Sequence, residues 1–263
     1  MKTYNALSKS FTDEVKIKMI EGSTIDEAFE DVKSAIIDYN FGEPTPTPKP
    51  IDVNELTQGD GQQDGYYYVD LGLSVKWATC NVGSVLASDD GLLFQFGRVD
   101  GYRYNDNNNQ FRTNAQNKQD TGNEYIPKTA SGKTYNVGET LQPADDAANV
   151  NMGGAWKMPT KDQLEELYGN TTYDVVTVNG VQGMLFTSTK PGYEGKQLFI
   201  PFAGYWYGNF YEKGSNAYVW SSQVHPSYVD FACRLSCFSS DDAGIDCDDL
   251  RSFAFSVRGV FKK

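Results

Sequence analysis

No run of 18 apolar residues occurs in this 263-residue chain, so no segment is expected to cross a membrane as a helix. The N-terminal stretch MKTYNALSKSFTDEVK lacks the apolar region of a secretory signal. Synthesis and folding in a cytoplasm without a signal peptide are therefore expected. Cations are in deficit: 23 Lys and Arg face 35 Asp and Glu, for a net charge of -12. That balance argues against nucleic acid and anionic membrane as partners, and mainly favours solubility. Histidine is rarer still, with His225 alone. Cysteine stops at four, and in a reducing compartment these are expected to be mostly free thiols. No Gly-rich phosphate loop opens a helix, and no nucleophile elbow is present.

A second set of absences is local. Val224 to Gly259 contains no Lys, Gln, Glu, Met or Trp. It holds His225, three of the four cysteines (Cys233, Cys237, Cys247) and six Asp. The missing types share one property. If the adenines of an Asn codon, AAC or AAT, are randomised, Asp, Tyr, Ser, Cys, His, Arg and Phe are reachable. Lys, Gln, Glu, Met, Trp and stop are not. Asp without Glu, and Cys and His scattered without evident chemistry, are what adenine-directed mutagenesis predicts. The alternative is a polar loop segment that happens to lack long side chains.

What is present suffices for a packed core: hydrophobic residues make up 39% of the chain and aromatics 14%, mostly 17 Tyr and 15 Phe. Tyr-rich surfaces favour recognition. Residues 1–42 read as a helical hairpin, with Phe11, Val15, Met19 and Ile20 on one stripe and Ile25, Ala28, Phe29, Val32 and Ile36 on the other. Thr24 and Glu27 have capping-box spacing. So small a hairpin buries its stripes poorly alone. It is either an attachment and oligomerisation element or an ordinary lead-in. Residues 43–65 read as a Pro-rich linker, since Pro44, Pro46, Pro48 and Pro50 favour an extended spacer.

From Tyr66 the texture turns to strands, with Tyr66 to Cys80 as one strand-like run and Leu92 to Phe96 as another candidate. Cys80 reads as a small core residue. Asn105 to Asn123 reads as an exposed loop. Pro159-Thr160 starts a helix whose buried face is Leu164, Leu167 and Tyr168. Glu165 and Glu166 are read as a solvated face. Asn179-Gly180 marks a hairpin between two strands. Gln197 to Trp206, Ala217 to Ser222 and Phe253 to Phe261 complete the strand candidates.

Several signposts occur in a telling order: Tyr68 to Leu73, Lys76 to Gly83, Trp156 to Thr160, Leu198 to Gly204, Trp220 to Ser222 and Phe255 to Arg258. Over roughly residues 66–263 the chain resembles C-type-lectin-like domains of the Fibrobacter major paralogous domain type. Such domains are similar to the variable proteins of diversity-generating retroelements, including phage major tropism determinants. The resemblance implies an α+β, C-type-lectin-like fold of short antiparallel sheets, few helices and many loops. It implies a variable region near 224–254, with Ala232, Leu235 and Phe238 inward as scaffold. The exposed ligand-binding set would be His225, Tyr228, Asp230, Phe231, Cys233, Cys237, Asp242, Asp246, Cys247, Asp248, Asp249 and Phe253. The implied function is receptor binding by a phage tail adhesin that sets host tropism, with a host-surface protein or glycan as partner. A homotrimer would suit the phage resemblance, and the virion would be its location. A cellular adhesin or effector is the milder alternative.

That set is acidic, which points to a cationic or hydrogen-bonding ligand. Other chemistries fit less well. The spacings of Cys233, Cys237, Cys247 and His225 match no common zinc pattern. The Asp run lacks the EF-hand calcium spacing, and the Glu-Pro-Asn motif of sugar-binding lectins is absent. Formylglycine-generating enzymes share the fold and use a cysteine pair, for which Cys233 and Cys237 are candidates by type. Arg234 is the one activating cation beside them. No cofactor, no metal and no catalysis are expected.

Overall fold

The computed structural model describes residues 51, 53–103, 112–113 and 126–263. The chain divides between Pro50 and Ile51 into two units, and every described residue belongs to the second. The expected helical hairpin and the Pro44–Pro50 spacer lie outside the described residues. So does the Asn-rich run, except for Arg112–Thr113.

The stretch after Pro50 is not linker throughout. Val53–Gln58 forms helix α1, and Gly61–Gln63 forms strand β1. Leu56 anchors the helix by packing into a cluster with Ala87, Val178, Leu185 and Phe199. Gly59 makes the tight exit, at φ +53°, where a Cβ would collide with the Tyr68 carbonyl. The single strand expected over Tyr66 to Cys80 is two, β2 (Tyr66–Val69) and β3 (Val75–Asn81), broken at Gly72 with φ +77°.

The rest alternates short strands with two helices. β4 (Leu93–Gln95), β5 (Tyr102–Arg103) and β6 (Arg112–Thr113) come first. Arg112–Thr113, expected in a loop, therefore pairs as a strand with Tyr102–Arg103. α2 is Ala147–Met152, capped by Asp146, and α3 is Lys161–Gly169. α3 begins at Thr160 in a capping box with Gln163. Leu164 and Leu167 are buried, but Tyr168 is exposed and stacks on Tyr173 with ring centres 5.7 Å apart. Glu166 is not merely solvated: it accepts hydrogen bonds from the Ser74 backbone N–H and hydroxyl.

β7 (Thr171–Val178) and β8 (Val181–Ser188) are joined by Asn179-Gly180, both at positive φ as a type I′ turn requires. β9 (Gln197–Pro201), β10 (Tyr205–Trp206), β11 (Phe210–Tyr211), β12 (Asn216–Val224), β13 (Phe231–Phe238), β14 (Asp242–Leu250), β15 (Ala254–Ser256) and β16 (Arg258–Lys262) follow.

Among the described residues these strands make three sheets: β1-β2-β3-β16, β7-β8-β9, and a larger one ordered β14-β13-β12-β15-β4-β5-β6 with β10 and β11 joined at its side. Pairing is antiparallel except where β12 meets β15 at Val219 and Ser256 and at the Gly204–Ala217 bridge. The architecture is thus α+β and mostly sheet, with few and short helices. Among the described residues, no helix is long and apolar enough to cross a membrane.

The sequence signposts have a packing role. Trp77, Trp156 and Trp220 are fully buried. Trp220 Nε1 donates to the Phe94 carbonyl at 2.9 Å, and Trp156 Nε1 to that of Gln63 at 3.0 Å. Ser222 donates from its N–H and hydroxyl to the Pro159 carbonyl. Arg258, also fully buried, ties two sheets by donating to the carbonyls of Ala78 (3.1 Å) and Phe199 (3.0 Å). Burial holds its guanidinium down, to about 10. Cys80 is a buried thiol donating to the Ser84 carbonyl at 3.2 Å, in keeping with a core role.

Candidate ligand-binding face

β12 and β13 are buried along much of their length on both faces, whereas β14 at the edge is mostly half-buried or exposed, so side chains must be sorted by register. Antiparallel partners share a face. Val219 opposite Leu235, and Ala217 opposite Cys237, point into a core closed by Leu164 and Leu167 of α3 and by Met184 and Phe186 of β8. Tyr218 opposite Ser236, and Trp220 opposite Arg234, point to the other side. Arg234 is in turn opposite Asp246 on β14.

That second face is a row of rings ending in a cluster of charge. Its floor is Tyr218 and Phe255, stacked with centres 5.0 Å apart. β10 wedges beside them, tied at one end to Ala217 and at the other to Ala254. Gly204 lets the Tyr211–Lys213 segment pass close by, since at φ +65° a Cβ there would collide with the Tyr211 carbonyl. Tyr205 then lies 5.6 Å from Tyr218 and stacks between Tyr211 (5.2 Å) and Phe253 (5.6 Å). Tyr207 continues the ladder beyond Phe253 at 4.5 Å. Burial raises the Tyr205 phenol, with the Glu212 carboxylate adding to the effect. Glu212 sits at φ +60°, an uncommon conformation for a long side chain. It accepts from the Tyr218 hydroxyl at 2.6 Å and from Asn216 at 2.7 Å. Burial and that bond keep Tyr218 protonated well above the usual phenol range.

At the other end Arg234 lies over Tyr218, its guanidinium 5.0 Å from the ring centre, and 5.9 Å from Phe255. Its partners are Asp249, Asp246 at 3.0 Å, Asp248 at 3.5 Å and the Ser236 hydroxyl. Burial lowers the Arg234 pKa, opposed by the Asp246 and Asp248 charges. The three carboxylates differ: Asp249 is 17% exposed and Asp248 80%. Only Asp249 is held inside the structure.

The residues expected to form one exposed set fall into several places. His225, Tyr228, Asp230 and Phe231 shape the β12–β13 turn. His225 Nδ1 accepts the backbone N–H of Ser227 (2.8 Å) and Tyr228 (2.9 Å), so its role there is to fix the turn. Tyr228 is 63% exposed and packs near His225 and Phe231. The Asp230 carbonyl accepts from the Arg251 N–H. Asp246, Asp248 and Asp249 converge on Arg234, and Phe253 joins the aromatic ladder. Asp242 is exposed at the start of β14 and raises the Tyr173 phenol, together with the larger effect of the Tyr168 hydrogen bond and with burial. Its neighbour Asp241 accepts from the Val175 N–H at 3.1 Å. The Asp run thus splits in two.

The cysteines depart most from expectation. Cys233 and Cys237 are fully buried, not exposed. Cys233 is bonded to Cys247 across β13 and β14, so two of the four are not free thiols. The reason lies in the strand geometry. Residues four apart on a strand are separated by roughly 13 Å, whereas a neighbouring strand is about 5 Å away. The pair Cys233 and Cys237 therefore does not form, and Cys237 is a core thiol pushed up by burial. Of the expected scaffold residues, Ala232 and Leu235 are buried and Phe238 is half-buried against Tyr218. Among the described residues no three His, Cys, Asp or Glu side chains are arranged to hold a metal ion; at the Asp246–Asp249 group the Arg234 guanidinium takes the place of a cation.

Tyr205, Tyr207, Tyr211, Glu212, Tyr218 and Arg234 were not in the expected set. For the rings the signal is their density between Tyr205 and Trp220, where Tyr205 and Tyr218 fall in strand candidates and Tyr207 and Tyr211 in none. In comparisons with protein-family models, curated proteins and solved structures, the chain matches none.

Proposed function

We propose that the chain is a non-enzymatic ligand-binding protein of C-type-lectin-like type, whose segment 224–254 is diversified by adenine-directed mutagenesis. The observation that carries this reading is the make-up of the sheet face. Adenine-reachable residues (Phe253 directly, Asp246 and Asp248 through the buried Arg234) stand beside rings that lie outside the segment (Tyr205, Tyr211, Tyr218). Beneath them Ala232 and Leu235 are buried in the core. A face of this kind changes its outer side chains without changing its support. The resemblance adds the setting, a phage tail adhesin recognising a host-surface protein or glycan. Weak single contacts would be multiplied if copies assemble.

The test is the DNA flanking the gene. A near-copy of the codons for residues 220–260, carrying adenines where the gene differs and lying beside a reverse-transcriptase gene, is expected. Absence of any such copy from the complete genome sinks the diversification reading and leaves a fixed binding module.

A further inference from the structure

His225, the one histidine of the chain, is half-buried at the start of the turn between Val224, where β12 ends, and Phe231, where β13 begins. The base of this turn is closed by backbone bonds. The His225 N–H donates to the Phe231 carbonyl at 2.9 Å, and the His225 carbonyl accepts from the Gly138 N–H at 3.1 Å. The far side is tied by Arg251, whose guanidinium donates to the Val229 carbonyl (3.1 Å) and whose N–H donates to the Asp230 carbonyl (2.9 Å). Between the two ties lies Pro226-Ser227-Tyr228. Pro226 has no N–H. The N–H groups of Ser227 (2.8 Å) and Tyr228 (2.9 Å) both donate to Nδ1 of His225. A longer bond, from the Phe231 N–H to the Tyr228 carbonyl at 3.3 Å, completes the tip. Tyr228 is the most exposed aromatic side chain among the described residues, and its backbone hangs largely on one ring nitrogen.

An imidazole nitrogen accepts only while it has a free lone pair, so Nδ1 is bare in this turn and the proton of the neutral ring is on Nε2. Protonation places an N–H on Nδ1, aimed at two other N–H groups, and both bonds are lost together. The titratable and charged groups on the elements around the ring are Tyr228, Asp230, Arg251 and Glu139. Tyr228 lies 4.9 Å away between ring centres, and the Glu139 carboxylate accepts from the Asn136 N–H at 3.0 Å. Among the described residues, none of these side chains is hydrogen-bonded to Nδ1. We propose that His225 is a pH switch for the β12–β13 turn. With the ring neutral, the tip is held. With the ring protonated, Pro226-Ser227-Tyr228 is released while the base and the Arg251 tie stay closed, and Tyr228 leaves its place beside His225 and Phe231. The closed turn binds one proton fewer than the open one, so it is favoured as pH rises and lost as pH falls. Histidine changes charge between about pH 5 and 8, which sets the window. Resting on the binding-face reading above, any contact made through Tyr228 is then stronger at the upper end of that window; the switch itself does not need that reading.

The test is an NMR titration of the full chain with protons from about pH 8 to pH 5. At the upper end, nitrogen spectra of the imidazole are expected to show Nδ1 bare and the proton on Nε2. On lowering the pH, the Ser227 and Tyr228 amides should shift with the same midpoint as the His225 ring protons. Their hydrogen exchange, corrected for its intrinsic pH dependence, should speed up about tenfold or more, as the loss of two ordinary hydrogen bonds implies. The Val224 and His225 amides at the base should not follow. His225→Asn replaces Nδ1 with a side-chain oxygen that accepts from the same kind of N–H without titrating, so its turn should stay closed across the range. His225→Ala should leave the two amides fast at every pH. An Nδ1–H tautomer at the upper end, or Ser227 and Tyr228 amides that ignore the His225 titration, would overturn the proposal. So would equal pH dependence in His225→Asn, which would assign the change to Asp230 or Glu139. None of these outcomes bears on the flanking-DNA test, which decides the diversification reading separately.

Discussion

β13 has two buried faces, and what buries them differs. On one side Leu235 and Cys237 meet hydrocarbon from α3 and β8. On the other, Arg234 and Ser236 meet rings, a hydroxyl and carboxylates that lead out to solvent. The first face has no polar partner to offer a changed residue, so a substitution there leaves a cavity or an unsatisfied group. The second ends in water, so many side chains find company. This difference gives one strand a closed apolar face and a polar face that leads out to solvent.

The comparison breaks most sharply at Leu235. Leu235→Ala should cost about 3 kcal/mol, since the residue is fully buried in a closed core. Urea denaturation reads this as a fall in midpoint at unchanged slope. A loss below about 1 kcal/mol would mean that this side of β13 is no more closed than the other.

Next comes the Cys233–Cys247 link, which closes a loop of sequence separation 14. Its reduction should cost about 2–3 kcal/mol on the chain-entropy account. The check is a urea midpoint with and without reductant, alongside thiol titration of the unreduced, unfolded chain. Two reactive thiols are expected there, from Cys80 and Cys237. Four would remove the link.

A polar site off this sheet face sharpens the contrast. Asp145 is fully buried, yet it accepts from the Tyr135 hydroxyl (2.6 Å) and from the Ser131 N–H (2.6 Å) and hydroxyl (2.7 Å). Burial raises its pKa, but these hydrogen bonds outweigh it and leave the carboxyl below its ordinary value. A carboxyl lowered in the folded state contributes stability above its unfolded pKa. That contribution is lost as pH falls through the folded value, in the window below about pH 4. Asp145→Asn should cost about 1–3 kcal/mol at neutral pH and flatten the stability profile at the acid end. Parallel acid titrations of both chains, followed by circular dichroism, measure this.

These outcomes bear on how much was legible in the sequence. The hairpin at Asn179-Gly180 and the helix at Thr160 were plain, because turn and capping chemistry act over a few residues. Ala232 and Leu235 as scaffold came with the resemblance. The cross-strand cysteine link was not readable: its partners are set by a register shift between Ala232 and Arg234, which spacing along one strand does not encode. The exit from the linker was missed for a similar reason, since Leu56 matters only through its contacts with Ala87, Val178 and Phe199. The ladder of Tyr205, Tyr211 and Phe253 joins residues almost fifty positions apart, through β10 wedging between β12 and β15. Composition could register its aromatics but not their assembly.

The smallest effects are expected at the outermost positions, and there the comparison meets its closest test. Tyr228→Ser and Asp248→Asn each change a side chain that is mostly exposed, and each should alter stability by less than about 0.5 kcal/mol. Asp249 shares a strand and a charge with Asp248 but is largely buried against Arg234. Asp249→Asn should therefore cost more, about 1–3 kcal/mol, because Arg234 keeps its burial and loses its innermost charged partner. Thermal melts of the three single variants separate the positions. If Asp249→Asn proves as silent as Asp248→Asn, the boundary between support and display lies deeper than Asp249. Arg234 itself would then belong to the part of the face free to vary.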